Sequence, residues 1–126
     1  YIADVPSSDP GVISMFGCIA YNGRIYIYGG MDATNSAWPN YYYSPKIHFY
    51  NPGSDTWTTL AASHNVPLDL HGFGYAVSGS KMYIMGGRNE ATGTDSVATW
   101  YYDIEAGTWH QVGDTPALKY LDYTVQ

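Results

Sequence analysis

Arg24-Ile25-Tyr26-Ile27-Tyr28-Gly29-Gly30 is an apolar stretch that closes on a glycine pair, and Lys81-Met82-Tyr83-Ile84-Met85-Gly86-Gly87 repeats it 57 positions later. Each stretch is followed by a tyrosine and, seven residues further on, by a tryptophan: Tyr50 and Trp57 in the first copy, Tyr102 and Trp109 in the second. A repeat of this length is usually one supersecondary unit that buries its faces only against its neighbours. The chain is therefore predicted to be a stack of such units.

The two copies differ in length at one place. Their spacing is 57 residues before the glycine pairs and 52 after them, as the distance from Tyr50 to Tyr102 shows. The difference of five residues must lie between Gly30 and Tyr50. Because length variation confined to one stretch is typical of a loop on a fixed frame, we expect residues 31–45 to form a loop that is longer in the first copy.

The composition favours an all-β fold. Aromatic residues make up 17% of the 126-residue chain and charged residues only 13%, and no long run of Ala, Leu, Glu and Lys recurs at helical spacing. No stretch approaches the roughly 18 apolar residues of a membrane span, so no membrane insertion is expected. The net charge of -6, with only five Lys and Arg, argues against a nucleic-acid partner.

The single cysteine, Cys18, cannot form a disulfide within the chain. It lies in an apolar strand pattern, where a small buried hydrophobic side chain is the usual role. We therefore expect Cys18 to be buried and to have no redox function.

Each copy divides into four predicted strands. Asn22-Gly23 and Gly79-Ser80 supply the positive φ angles of a tight hairpin between the first and second strands. The second strand is apolar at nearly every position, which indicates that protein covers both of its faces. The predicted strands are residues 16–21, 24–28, 46–50 and 56–60 in the first copy and 73–77, 81–85, 99–102 and 108–112 in the second.

Four antiparallel strands, buried on both faces and repeated at about 50 residues, describe a blade of a β-propeller. The chain resembles the kelch-repeat family of propellers, which includes the galactose oxidase type. The residues that carry the resemblance are Gly29, Gly30, Tyr50, Trp57, Gly86, Gly87, Tyr102 and Trp109. The resemblance implies two complete blades in which each glycine pair ends the second strand and Trp57 and Trp109 pack between blades.

On this interpretation the chain has five parts. They are the end of a preceding blade with a linker (1–15), the first kelch repeat (16–62), an inter-blade loop (63–72), the second kelch repeat (73–113) and the start of a following blade (114–126). Propellers have about four to eight blades around a channel. We therefore expect further blades, either from a longer polypeptide or from a homo-oligomer such as a homotrimer.

Alternating strand direction places the connection between strands two and three on the same side as the link between blades. In the first repeat that connection holds Trp38, Tyr41, Tyr42 and Tyr43. Exposed Trp and Tyr are enriched at interface hot spots and can stack on peptides or sugar rings. These four residues are candidate binding residues, and the alternative is that they cap their own loop or pack on a neighbouring blade or subunit.

Three ionisable residues on the same side complete the candidate site. Arg88, directly after the second glycine pair, could hold a carboxylate of a partner or pair locally with Glu90 or Asp95. His64 and His71 lie in the link between the blades. With Asp69 they could form a metal set, but because the spacing of these three residues matches no strong ligand motif, we expect no metal and no cofactor, with His71 orienting its neighbours through hydrogen bonds.

The sequence favours a binding scaffold over an enzyme. Some kelch-type propellers resemble copper radical oxidases, sugar-acid epimerases or iron-assisted specifier proteins, and the ligand sets that the copper and iron types need have no visible match here. The expected partner is a protein first and a carbohydrate second, bound through the two-to-three and inter-blade loops. Two alternatives remain open. One is part of a propeller enzyme, copper oxidase-like or sugar epimerase-like, whose active site lies mostly outside this chain; the other is a structural, self-assembling extracellular protein.

Low Lys content with abundant Tyr, Ser, Gly and Asn weakly favours an extracellular location.

Overall fold

The computed structural model describes residues 13–37 and 40–113. Residues 1–12 of the predicted preceding blade and linker (1–15), the predicted start of the following blade (114–126) and the candidate binding residue Trp38 lie outside these ranges. Within them the secondary structure is one 3-10 helix at Ala62–His64 and a series of strands, with no helix long and apolar enough to cross a membrane. The strands are β1 (Ile13–Ser14), β2 (Gly17–Tyr21), β3 (Arg24–Tyr28), β4 (Met31–Ala37), β5 (Asn40–Tyr43), β6 (Ile47–Asn51), β7 (Thr56–Thr59), β8 (Leu70–His71), β9 (Gly74–Ser78), β10 (Lys81–Met85), β11 (Arg88–Asn89), β12 (Thr94–Asp95), β13 (Thr99–Asp103) and β14 (Thr108–Gln111).

Two four-stranded antiparallel sheets form the frame, and each corresponds to one copy of the sequence repeat. The first sheet has the order β2-β3-β6-β7 and the second β9-β10-β13-β14. The predicted second strands match β3 and β10 at both ends, and the other predicted boundaries differ from the observed ones by about one residue, the usual uncertainty of strand ends. The all-β prediction is therefore confirmed.

The two β-hairpins that open the sheets use different tight turns. Asn22 and Gly23 both have positive φ, at 49° and 76°, as a type I′ turn requires. In the turn between β9 and β10, Gly79 has a positive φ of 59° and Ser80 does not, as in a type II′ turn. Both turns match the right-handed twist of the strands that they join.

The glycine pairs end β3 and β10, and both pairs have the same backbone conformation. The φ angles are 66° and 92° at Gly29 and Gly30, and 68° and 91° at Gly86 and Gly87. Residues with a side chain rarely adopt such angles. The repeated glycine pair therefore marks a backbone shape that the repeat needs twice.

The hydrophobic core lies between the two sheets. Cross-strand pairing places Ile19 and Ile47 on the same face as Tyr26 and Tyr28, and this face is turned towards the second sheet. The second sheet and the link between the sheets complete the core with Met82, Ile84, Tyr102, Val66, Leu70 and Phe73. Because each sheet buries its apolar side chains against the other, the predicted stacking of units is confirmed.

Trp109 packs against this core and joins the second sheet to the link. Its ring lies 5.2 Å from that of Tyr102, and its indole N–H donates to the main-chain carbonyl of His64 at 2.9 Å. Trp109 therefore contacts both the second sheet and the link between the sheets. Trp57 makes the corresponding contact with Tyr50, at 5.3 Å, on the outer face of the first sheet.

The outer faces of the two sheets differ from the sequence expectation. Cys18 is exposed, so its predicted burial is wrong, because its side chain alternates with that of Ile19 and points away from the second sheet. Ile25 is also 38% exposed. Tyr83 and Met85 are half-buried on the opposite outer face. Burial on both faces of strand two is therefore incomplete among the described residues.

Candidate functional site

Two small antiparallel sheets lie on one side of the blades. In the second repeat β8 pairs with β11, which places Arg88 opposite His71, and β11 pairs with β12, which places Arg88 opposite Asp95. In the first repeat β1 pairs with β4 and β4 with β5. The inter-blade link and the connection between strands two and three therefore share one side, as predicted. We call the side formed by these six short strands the hairpin face.

The connection in the first repeat is a hairpin and not the expected loop. β4 has seven residues, whereas its counterpart β11 has two, so the extra residues lengthen a paired strand. Pairing with β5 satisfies backbone hydrogen-bonding groups that an irregular loop would expose to water. Tyr41 and Tyr42 lie in β5, but their side chains, like Trp38, fall outside the described part of the chain.

A cavity of about 240 Å³ opens between the two small sheets. Met15, Met31 and Tyr43 line it from the first repeat. His71 and Glu90 line it from the link and the second repeat. We call this space the hairpin-face cavity, and its walls combine two thioethers and an aromatic ring with an imidazole and a carboxylate.

His71 lies at the inner end of the cavity, where it is only 8% exposed. Its Nε2 is 3.2 Å from Oε1 of Glu90, and its Nδ1 is 3.3 Å from the sulfur of Met15. The ring of Tyr43 stacks on the imidazole, with centroids 5.2 Å apart and planes inclined by 22°. These contacts hold the imidazole in one orientation and join the two repeats.

Arg88 lies next to the lining residue Glu90, between two carboxylates. Its Nε is 3.4 Å from Oε1 of Glu90, and its Nη1 is 3.6 Å from Oδ1 of Asp95. Local ion pairing was one of the two sequence alternatives for Arg88, and these contacts support it. Partly exposed pairs of this kind stabilise a fold by only about 0.2–1 kcal/mol. Their main effect is therefore to position the Arg88 side chain and to set the local charge.

His64 lies apart from this group. Its Nδ1 is 2.7 Å from the hydroxyl of Tyr102, and its ring contacts that tyrosine edge-on in the wedge between the blades. Of the candidate site residues with described side chains, the structure brings together Tyr43, His71 and Arg88 and separates His64 from them. Among residues 13–37 and 40–113, no three His, Cys, Asp or Glu side chains form a group that could hold a metal ion.

A second cavity, of about 270 Å³, lies in the wedge between the blades near the turns opposite the hairpin face. The guanidinium of Arg24 lies 4.3 Å from the centroid of the Phe49 ring there. Across the cavity, Tyr21 donates its hydroxyl to Glu105 at 2.6 Å, and this hydrogen bond raises the pKa of Tyr21. The opposite charges of Arg24 and Glu105, which both line this cavity, offset each other.

The sequence interpretation missed Met15 and Met31, although the repeat contains a signal for both. Met31 directly follows the first glycine pair and therefore corresponds to Arg88. Met15 corresponds to Gly72, and both residues have positive φ, at 57° and 61°. At this position the second repeat has a glycine, which adopts positive φ freely, whereas the first repeat has a methionine, for which positive φ is sterically unfavourable. This departure from the repeat is the signal.

Comparison with known proteins gives consistent results. The kelch motif matches residues 13–62 and 69–116. Human Kelch-like protein 15 is 30% identical over 94 residues, which are 74% of this chain and 15% of that protein. Kelch domain-containing protein 10 of Bos taurus is 25% identical over 101 residues, which are 78% of this chain and 21% of that protein. The chain thus spans under a quarter of the length of these relatives.

A solved structure, that of YjhT, has the same fold. Its TM-score is 0.76 at 16% sequence identity, and the match covers 94% of this chain and 42% of that one. The predicted propeller architecture is confirmed by this likeness together with the two antiparallel sheets. The chain belongs to the kelch-repeat family, and its two four-stranded sheets are blades of a kelch β-propeller.

Proposed function

We propose that these two blades form part of a scaffold that binds a protein partner through the hairpin face. The observation that carries the proposal is the hairpin-face cavity, where Tyr43 and His71 meet between the two repeats and Arg88 pairs with the lining carboxylate of Glu90. Kelch-repeat proteins generally bind protein partners, which supports a protein over other ligands.

The side chains around the cavity are of the kinds that interfaces favour. Tyr, Met and Arg are enriched at protein interfaces, and hot spots combine a buried apolar contact with a directed polar one. Met15 and Met31 offer adaptable apolar surface, while His71 and Glu90 offer directed polar groups. The position of the cavity between two repeats lets one bound segment contact both blades.

The aromatic residues of the first hairpin extend this proposed surface. Trp38, Tyr41 and Tyr42 belong to the same chain segment as Tyr43, whose ring already contacts His71. We infer that they widen the contact area for a partner. Replacing Trp38 and Tyr42 by alanine is then expected to weaken partner binding without unfolding the blades, whereas unfolding or disassembly would indicate packing.

The proposal can be tested without a known partner by selecting peptides from a displayed random library against the protein. Arg88→Ala and Tyr43→Ala are expected to weaken the selected peptides by at least about tenfold, which corresponds to about 1.4 kcal/mol. Arg24→Ala is the matched control, because it removes a guanidinium from the side opposite the hairpin face. Peptides that tolerate both hairpin-face variants, or that depend on Arg24, would contradict the proposal.

Carbohydrate was the second expectation from the sequence, and a glycan array tests it with the same three variants. An oligosaccharide that binds and depends on Tyr43 would move the assignment from a protein to a sugar at the same surface. Peptide binding in the absence of glycan binding is the outcome that we expect.

A further inference from the structure

We propose that the hairpin-face cavity receives the side chain of a lysine or arginine presented by a peptide. This inference rests on the proposed function, since it specifies which chemistry of a protein partner the cavity accepts. This cavity is concave and is lined by the carboxylate of Glu90 with no Lys or Arg in its lining, whereas Arg24 and Glu105 both line the wedge cavity.

The charge balance around the cavity favours a cation. One guanidinium, that of Arg88, lies within 3.6 Å of carboxylate oxygens from both Glu90 and Asp95. Glu90, Asp95 and Arg88 together sum to one negative charge. Asp69 is exposed beside them in the link, and its main-chain carbonyl accepts the N–H of Glu90 at 3.0 Å. A ligand with one positive charge therefore reduces the imbalance, whereas an acidic ligand increases it.

Glu90 is the group that the incoming cation would meet. Its Oε1 contacts both Nε2 of His71 and Nε of Arg88, at 3.2 and 3.4 Å. Among the described residues, its second oxygen has no such contact, and the side chain is 29% exposed. Since a carboxylate can accept several charge-assisted hydrogen bonds at once, Glu90 can bind an ammonium or guanidinium and keep its contact with His71.

The rest of the lining suits the stem of a basic side chain. Lys and Arg reach their charge through an unbranched run of methylene groups that packs on apolar surface. The thioethers of Met15 and Met31 provide such surface on the first-repeat side, and the ring of Tyr43 adds an aromatic face that attracts cations. The volume of about 240 Å³ is sufficient for one long side chain.

The wedge cavity shows why charge decides the assignment. It is slightly larger, at about 270 Å³, and is also lined by aromatic rings. Its Arg24 and Glu105 offset each other, so it has no excess of either sign. We therefore expect a basic side chain to prefer the hairpin-face cavity, and we use the wedge as an internal control.

The test is a titration of the protein, labelled with carbon-13 in its methionine methyl groups, with Nα-acetyl-lysine N-methylamide. Met15 and Met31 line the cavity, whereas Met82 is fully buried in the core, so the label carries its own control. A single side chain should bind no more tightly than about 1 mM. We expect the Met15 and Met31 signals to shift with the lysine derivative and that of Met82 to stay in place.

Two comparisons make the test specific. The norleucine derivative has the same stem without the charge, and Glu90→Gln keeps the shape of the side chain without its charge. Each is expected to weaken binding by at least about fivefold, which corresponds to about 1 kcal/mol. Glu105→Gln, in the wedge, should leave binding unchanged. Equal binding of lysine and norleucine derivatives, equal binding by the Glu90→Gln variant, or preference for the glutamate derivative would overturn the inference.

Failure of this inference is distinguishable from failure of the proposed function. Displayed peptides that depend on Arg88 and Tyr43 but contain no Lys or Arg would keep the hairpin face as the binding surface and remove the basic side chain as its ligand. Displayed peptides that contain a required Lys or Arg and lose affinity with Glu90→Gln, and not with Glu105→Gln, would support both.

Discussion

Substitution of Gly87 should show most directly how closely the second glycine pair approaches the inter-blade link. Its φ of 91° is one that residues with side chains rarely adopt, and a Cβ added there would lie 2.8 Å from Cβ of Phe73. The same Cβ would lie 3.0 Å from the carbonyl oxygen of His71 and from Cα of Phe73. These are atoms of the main chain or next to it, so a side-chain rotation cannot relieve the contact.

The expected cost of Gly87→Ala has two parts. A left-handed conformation costs a residue with a Cβ about 1–2 kcal/mol. Inserting a methyl group into a closely packed site costs about 1–3 kcal/mol more. We therefore expect Gly87→Ala to lower the free energy of unfolding by about 2–5 kcal/mol, a large fraction of the roughly 5–15 kcal/mol of a typical domain.

Two other glycines separate the conformational cost from the steric cost. At Gly93 φ is 68° and no atom lies within 4 Å of the added Cβ, so Gly93→Ala should cost only the conformational part, about 1–2 kcal/mol. At Gly29 the added Cβ would lie 3.0 Å from Cε1 of Phe73, an atom at the end of a side chain and not of the main chain. The destabilisation should therefore increase from Gly93→Ala through Gly29→Ala to Gly87→Ala.

Urea unfolding monitored by tryptophan fluorescence measures this order, and the m value checks that each variant starts from an equally compact state. If Gly87→Ala does not fold, Gly29→Ala against Gly93→Ala still tests the steric part. Equal unfolding free energies for Gly87→Ala and Gly93→Ala, within about 0.5 kcal/mol, would refute the close approach, because backbone conformation would then explain both.

Three further predictions follow from single contacts. Trp109→Phe keeps a ring beside Tyr102 but leaves the His64 carbonyl without its indole donor, so urea unfolding should show a loss of about 1–3 kcal/mol; an unchanged midpoint would contradict the bond. Burial raises the pKa of Tyr28 well above the ordinary value of about 10, so its phenol stays protonated in the folded state. That contribution to stability is present below about pH 10 and is lost as the pH rises above 10. Phenolate absorbance and unfolding midpoints, measured against pH in the native protein and in Tyr28→Phe, should show this loss in the native protein. A native protein that loses no more stability than Tyr28→Phe would contradict this assignment. Cys18 should react with a thiol reagent in the 126-residue polypeptide without denaturant, slowly because partial burial raises its pKa, and complete protection would contradict its exposure.

The repeated residues were sufficient to predict the frame. The apolar runs at β3 and β10 are followed by glycine pairs, and each position recurs because every blade needs the same backbone shape. Local sequence also predicted the hairpin turns, since Asn22-Gly23 is a strong turn signal. By contrast, the exposure of Cys18 depends on which face of the sheet meets a neighbour, and strand periodicity is the same on either face.

The candidate site was only partly predictable, because it depends on pairing between distant segments. That Arg88 lies near Asp95 and Glu90 could be expected from their spacing along the chain. The contact between His71 and Glu90 requires β8 to pair with β11 in one register, and the stacking of Tyr43 on His71 requires the two small sheets to meet. No local pattern specifies either arrangement.

The differences between the two repeats are what make the cavity asymmetric. Met15 and Met31 line it from the first repeat, whereas the equivalent positions of the second repeat carry Gly72 and Arg88, and the polar lining comes from His71 and Glu90. Met15 keeps a φ of 57°, which costs a residue with a side chain about 1–2 kcal/mol and which Gly72 adopts freely. A strained conformation persists only where the surrounding structure holds it, and such positions are concentrated at binding sites. The strain at Met15 and the closeness of its sulfur to Nδ1 of His71 thus indicate the same place as the charge balance does. That place is the hairpin-face cavity, where departures from the repeat give a repeated frame a specific surface.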